Sequence, residues 1–262
     1  MYKRQGKYTI NIYIRFQNSS DSTDTVKFVI GGSSFGIMGT DSLGRDLARG
    51  LLYGFPVALT IGVITSVMAT IIGTSLGIVS GYLGGKTDIA IQRLSDVLSN
   101  IPLLPILLFL AFILGQKLWI VMATLVVFGW PGMTIVIRSM VLQIKSGQLI
   151  EASTAIGVSK FRIMFRHIFP QIAPFVLAQM IFFTPAAILA EAGLSFLGLG
   201  DPSIPTWGQI LDQGFKTGAV YVGYWWWVLP PGILIILTAL TFVFIALGME
   251  QIVDPRLRRV NK

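Results

Sequence analysis

Few side chains in this sequence could make or break bonds. There is one histidine, His167, and no cysteine, so disulfides, thiolate-bound metals and multi-histidine metal sites are excluded. No Walker A pattern (GxxxxGK followed by Ser or Thr) occurs, so any ATP hydrolysis must come from another chain. An intramembrane enzyme would need a nucleophile and base, or a metal set, within its apolar stretches, and no such set is visible. His167 lies at a loop edge and reads as a residue that hydrogen-bonds locally, with pH sensing or partner contact as the alternative.

The remaining chemistry is that of contact. Glu151 to Pro170 reads EASTAIGVSKFRIMFRHIFP. Glu151 to Ile156 favours a helical turn, Gly157 a break, and Ser159 a cap for a second turn. Val158, Phe161 and Phe165 share a face of that second piece, with Lys160, Arg162 and Arg166 elsewhere around it. An apolar knob ringed by basic charge suits a helix that enters a groove on a partner. It equally suits a helix lying on the anionic inner leaflet, and periodicity alone leaves both open. Glu191, near the outer end of an apolar run, is a site candidate by default. It would face a solute path, pair with a cation on a partner subunit, or form a structural ion pair near the interface. Ser195 and Trp207 join it as candidate pathway or inter-subunit residues, with Trp207 also read as an interface anchor.

These residues need a membrane scaffold. The chain is 53% hydrophobic and 12% charged, against about 25% charged in a soluble domain. The deficit is spread from about Leu51 onward, as expected for several bilayer spans. The net charge of +8 does not signal nucleic-acid binding, because the basic residues sit between apolar runs. Five runs are long enough to span: Gly50 to Gly85, Val97 to Gln116, Leu118 to Ile137, Ile168 to Ala190 and Thr217 to Met249. In the first, Gly73, Gly77 and Gly81 recur every fourth residue, which lets a second backbone approach. Pro102 and Pro105 are expected to kink the second run, and Pro170, Pro174 and Pro185 to bend the fourth. Tyr221 to Trp227 (YVGYWWW) reads as an aromatic belt, with Pro230 and Pro231 suiting a helix start.

The expected architecture is an all-α polytopic bundle with three parts: an extracytoplasmic segment 1–49, a transmembrane domain 50–250 and a cytoplasmic tail 251–262. Within the domain lie a cytoplasmic loop 138–168 and an outer loop 196–224, re-entrant or on the surface. Lys86, Arg93, the Arg138–Arg166 stretch and the basic tail fall on one side, which the positive-inside rule places in the cytoplasm. Residues Lys7 to Phe16 and Thr25 to Ile30 alternate polar and apolar and suggest a β-hairpin. No apolar run in Met1 to Phe16 resembles a cleavable signal.

The 151–170 stretch resembles the EAA loop of ABC importer permeases, with Glu151-Ala152-Ser153, then Gly157 and Pro170. Ser153 replaces the third alanine, and Phe169 the leucine usual before the proline. More closely, GTDSLGRD (Gly39 to Asp46), SGYLGGKTD (Ser80 to Asp88) and AEAGLSFLGLGDPSIPTWGQIL (Ala190 to Leu211) resemble motifs of the dipeptide, oligopeptide and nickel permease group. The resemblance covers about Met38 to Arg258. That group usually has a further span ahead of the first motif; Met1 to Gly39 holds none, so five spans are counted here, and the sixth is either upstream of Met1 or absent. The resemblance implies a multi-pass plasma-membrane subunit with no catalytic role and no cofactor of its own. It also implies a second, related permease, two ABC ATPases that hold ATP and Mg, and an extracytoplasmic solute-binding protein. Glu151, Ala152, Gly157, Ser159, Lys160, Phe161 and Arg162 would form the ATPase-coupling surface. Peptides, nickel chelates and oligosaccharides are all solutes compatible with the resemblance. A stand-alone channel or secondary transporter is the competing reading, but no internal repeat supports it and Glu191 is nearly alone as an intramembrane charge.

Overall fold

A computed structural model of the chain describes residues 37–42 and 44–253, with side chains to 249. The hairpin expected over Lys7 to Ile30 lies outside the described residues. The rest is helical: α1 (Leu47–Leu83), α2 (Gly85–Asn100), α3 (Leu103–Leu114), α4 (Leu118–Lys145), α5 (Gln148–Ala155), α6 (Lys160–Phe196), α7 (Trp207–Lys216), α8 (Ala219–Val222) and α9 (Trp225–Val253). Helix α6 is continuous but passes through a π turn at Ile163–Ile168.

Among the described residues, α1, α4, α6 and α9 are each long and apolar enough to cross a bilayer. The second apolar run is not one straight helix. It is divided between α2 and α3, whose axes differ by 81°. The break falls at Ile101 and Pro102; proline disfavours a helical conformation in the residue before it, and Ile101 is extended (φ −81°, ψ 122°). At a 1.5 Å rise per residue, α3 alone reaches about 18 Å, short of the ~30 Å hydrocarbon core. Five spans therefore result only if the bent pair counts as one. The prolines of α9 also depart from expectation. The helix begins at Trp225, so Pro230 and Pro231 lie inside it, while Trp227 is buried in a core cluster with Leu47, Leu51 and Trp207.

Helices α1 and α4 form the frame. The glycine stripe of α1 is in backbone contact with α4: a Cβ built on Gly73, Gly77 or Gly81 would stand 2.8–2.9 Å from the carbonyl oxygens of Trp130, Thr134 and Arg138 respectively. The Thr134 hydroxyl donates to the Gly73 carbonyl at 3.1 Å, linking the two helices across that seam. At one end, Asp88 of α2 pairs with Arg138 through two contacts of 2.5 and 2.6 Å and also accepts from the Ser80 hydroxyl at 2.5 Å. Arg138 therefore belongs to α4, which continues two turns beyond Ile137 before the loop begins.

The opposite end is closed by the Gly39–Asp46 motif. Asp41 accepts from the Arg45 backbone N–H (2.8 Å) and side chain (2.7 Å), and Arg45 donates onward to Gln213 of α7 at 2.6 Å. Asp46 caps α1 by accepting from the Arg49 N–H. The motif is thus a turn that starts the first span and ties it to the outer helix.

Candidate functional site

The Glu151–Arg166 surface rests on a firm base. Ile150, Ile163, Met164 and Ile168 are buried against Ile78, Tyr82, Ile137 and Val141 of the α1–α4 frame. Ser153, the departure from the alanine of the motif, is buried too, and its hydroxyl donates to the Leu149 carbonyl at 2.7 Å. A small residue is what that contact requires, and serine satisfies its own polar atom there.

Helix α5 ends in a Schellman motif. The Val158 N–H bonds the Ser153 carbonyl and the Gly157 N–H the Thr154 carbonyl, with Gly157 at φ +79°. A Cβ at Gly157 would meet nothing within 4 Å. Glycine is required there by its left-handed backbone and not by any crowding of a side chain. Ser159 occupies the N-cap position of α6, yet its side chain makes no capping bond; only its carbonyl is used, by the Ile163 N–H.

Outside this base, Glu151, Ala152, Ser159, Lys160, Phe161, Arg162 and Arg166 are all exposed. All seven residues expected to form the coupling surface, Gly157 among them, are exposed. Val158 is the exception on the apolar face, being half-buried against the frame. Phe161 (68% exposed) and Phe165 stack with ring centroids 4.4 Å apart. Ile156, 80% exposed at the end of α5, adds a third apolar side chain that sequence reading passed over. Its signal was its place directly before the break, where a residue projects from a helix end. Beside the knob, Tyr82, Lys145, Glu151 and Lys160 line a cleft of about 640 Å³. Here Ile156, Phe161 and Phe165 are exposed beside a buried base, with Lys160, Arg162 and Arg166 exposed in the same stretch. That arrangement can dock on a partner. His167 lies half-buried in the π turn, where its carbonyl accepts the Gln171 amide at 2.6 Å.

Glu191, Ser195 and Trp207 form a different structure from the one expected. All three are buried inside the subunit. Glu191 makes no ion pair among the described residues; the Ser195 hydroxyl donates to its carboxyl at 2.5 Å and Thr206 hydrogen-bonds it as well. Hydroxyl donors from one helical turn on and from the head of α7 satisfy a carboxyl for which burial leaves no water. Trp207 is no interface anchor. It is 2% exposed, its indole N–H donates to the Leu51 carbonyl at 2.9 Å, and Gly54 leaves the space its ring fills. The three residues fasten the outer helix α7 onto α1 and α6.

Next to this knot, Asp201 accepts from the N–H and hydroxyl of Ser203 and from the Leu118 N–H at the head of α4. Burial works against its charged form, but these hydrogen bonds and the nearby Lys117 outweigh it and hold the carboxyl below its ordinary value.

An all-helical bundle of membrane-spanning length, with exposed apolar and basic side chains at one end and a fastened outer helix at the other, is the architecture of a membrane transport permease. The chain belongs to the family described as binding-protein-dependent transport system inner membrane component, whose model matches residues 73–259. It is 36% identical over 222 residues to the dipeptide transport system permease protein DppC of Bacillus subtilis, covering 84% of this chain and 69% of that one. It is 33% identical to the oligopeptide transport system permease protein OppC of the same organism, covering 84% and 72%. The DppC protein of Lactococcus lactis is 31% identical, and there the chain spans 64% of the relative's length. Among solved structures, an inward-facing MetNI methionine ABC transporter chain superposes with a TM-score of 0.63 at 20% identity, covering 79% of this chain and 96% of that one. That likeness fixes the fold, and the sequence relatives fix the role: a multi-pass permease subunit of an ABC importer.

Proposed function

We propose that this permease is one of two related membrane subunits of a peptide importer, driven by two cytoplasmic ATPases and supplied by an extracytoplasmic binding protein. The names of the dipeptide and oligopeptide relatives support the solute class. The chain itself carries out no catalysis; ATP and Mg belong to the ATPases. The observation that carries the coupling role is the Ile156, Phe161 and Phe165 knob, exposed on a base that is itself buried. A lipid-facing helix would not need the Schellman turn at Gly157 to set the angle between its two halves. A docking element does, because that angle decides whether the knob and Lys160 and Arg162 enter the partner together.

Closure of the ATPases would pull on this surface, and α6 would carry the motion into the bundle as a single 37-residue lever. Gly157→Val tests the role. A residue with a Cβ in the left-handed region costs about 1–2 kcal/mol, enough to change the angle of the turn but not to unfold a bundle held by the α1–α4 frame. In reconstituted vesicles the variant is expected to insert normally and lose uptake while the ATPases still turn over. Normal ATP-driven uptake would remove the loop from the coupling role.

A further inference from the structure

A furrow at mid-depth in the bundle has no role in the account so far. Its floor is Thr70 of α1, one wall is Gly132 and Met133 of α4, and the other is Phe175, Gln179 and Phe183 of α6; it encloses about 310 Å³. Gln179 lies near the middle of α6, inside its apolar stretch, and is exposed. Exposed hydroxyls elsewhere in the spans, such as Thr60, Ser139 and Thr241, donate back to a carbonyl of their own helix. Gln171, nearer the end of α6, likewise gives its amide to His167. The Gln179 carboxamide has no hydrogen-bond partner among the described residues.

An amide facing hydrocarbon with two donors and an acceptor unmet is strongly disfavoured, so this face is not a lipid face. The contrast is α9, where the exposed Ile233, Ile236, Leu237, Leu240, Phe244 and Leu247 are apolar and the exposed Thr241 hydroxyl is satisfied by its own helix. We infer that the furrow lines the solute pathway and that Gln179 is a solute-contacting residue selecting for the peptide group. The inference rests on the permease reading above. A carboxamide offers the donor and acceptor pair that a peptide bond offers in return. Phe175, Phe183 and Met133 give adaptable apolar walls for varied side chains. The furrow carries no charge, so it holds a solute by its backbone and not by its termini, and it does not trap it.

The absence of cysteine makes a direct test available. Gln179→Cys and Gly132→Cys replace residues exposed to the furrow, and a Cβ at Gly132 meets nothing within 4 Å. Each variant, in the complete transporter in membrane vesicles, is treated with a permanently charged methanethiosulfonate, and the mass of this chain is followed with and without ATP. Ile236→Cys on α9 is the lipid-facing control. The furrow positions are expected to react at least about tenfold faster than position 236 in one nucleotide state, since a charged reagent is excluded from hydrocarbon. Alanyl-alanine, presented with the binding protein, is expected to slow that reaction. Rates no higher than at position 236 in either state would overturn the pathway assignment. Fast labelling indifferent to alanyl-alanine would overturn the selection for peptide. Fast labelling indifferent to ATP would keep the pathway and overturn the ATP-driven reading on which it rests.

Discussion

Gly77→Ala probes the frame on which both ends of the permease depend. A Cβ at Gly77 would lie 2.7 Å from both Cβ and Cγ2 of Ile137 and 2.9 Å from the Thr134 carbonyl oxygen. Carbon contacts settle near 3.5–4.0 Å, so α4 must retreat by about 1 Å. The atoms in the way are backbone, or fixed directly to it, and no rotamer change relieves them. Overpacking of this kind costs typically 1–3 kcal/mol, offset by the ~1 kcal/mol that alanine gains over glycine in a helix. The expected net loss is therefore up to about 2 kcal/mol. Gly232→Ala, in α9, is the matched control: nothing lies within 4 Å of its added Cβ, so only the helix gain remains. Thermal unfolding of the purified protein in detergent should therefore move in opposite directions for the two variants, by a few degrees each. A Gly77→Ala protein as stable as wild type would show that α1 and α4 are not in backbone contact along this stripe.

Trp207→Phe should lower stability by about 1–2 kcal/mol, because it leaves the Leu51 carbonyl without its indole donor inside the core; thermal unfolding in detergent reads the loss, and an unchanged midpoint would contradict the fastening of α7. The Asp201 carboxyl is held below its ordinary value of 3.8, so its contribution is present above that value and is lost as pH falls through the lower folded value. Below about pH 4 the wild type should therefore lose stability that Asp201→Asn never had, and unfolding midpoints of the two should converge on acidification.

Much of this architecture was legible because it follows from period and charge. Glycines four apart announce a close seam, and the seam is there, against Trp130, Thr134 and Arg138. The Gly157 break was readable from a helix former run ending in glycine, although its reason proved to be backbone conformation. Pro102 was visible as a kink, but not as an 81° break, because Val97 to Gln116 is uncharged throughout and hydropathy carries no direction. Trp207 was misread since its burial depends on Gly54 and Leu51, about 150 residues away, which no local pattern records. For Glu191 the charge drew notice while the hydroxyl of Ser195, one helical turn on, was the available hint that the carboxyl is satisfied internally. Gln179 carries no charge and interrupts neither the length nor the hydropathy of its apolar run, so the sequence gives it no signal.

The central claim, that the Glu151–Arg166 surface docks on an ATPase, is tested most directly by a photo-crosslinking amino acid at Phe161. The side chain is exposed on the rim of the knob, so the substitution leaves the buried base untouched. Irradiation of intact membranes followed by mass spectrometry identifies whatever lies against it. An adduct joining this chain to an ATPase subunit is the predicted result. Adducts to phospholipid alone, with the ATPases present in the membrane, would place this helix on the inner leaflet and contradict the account.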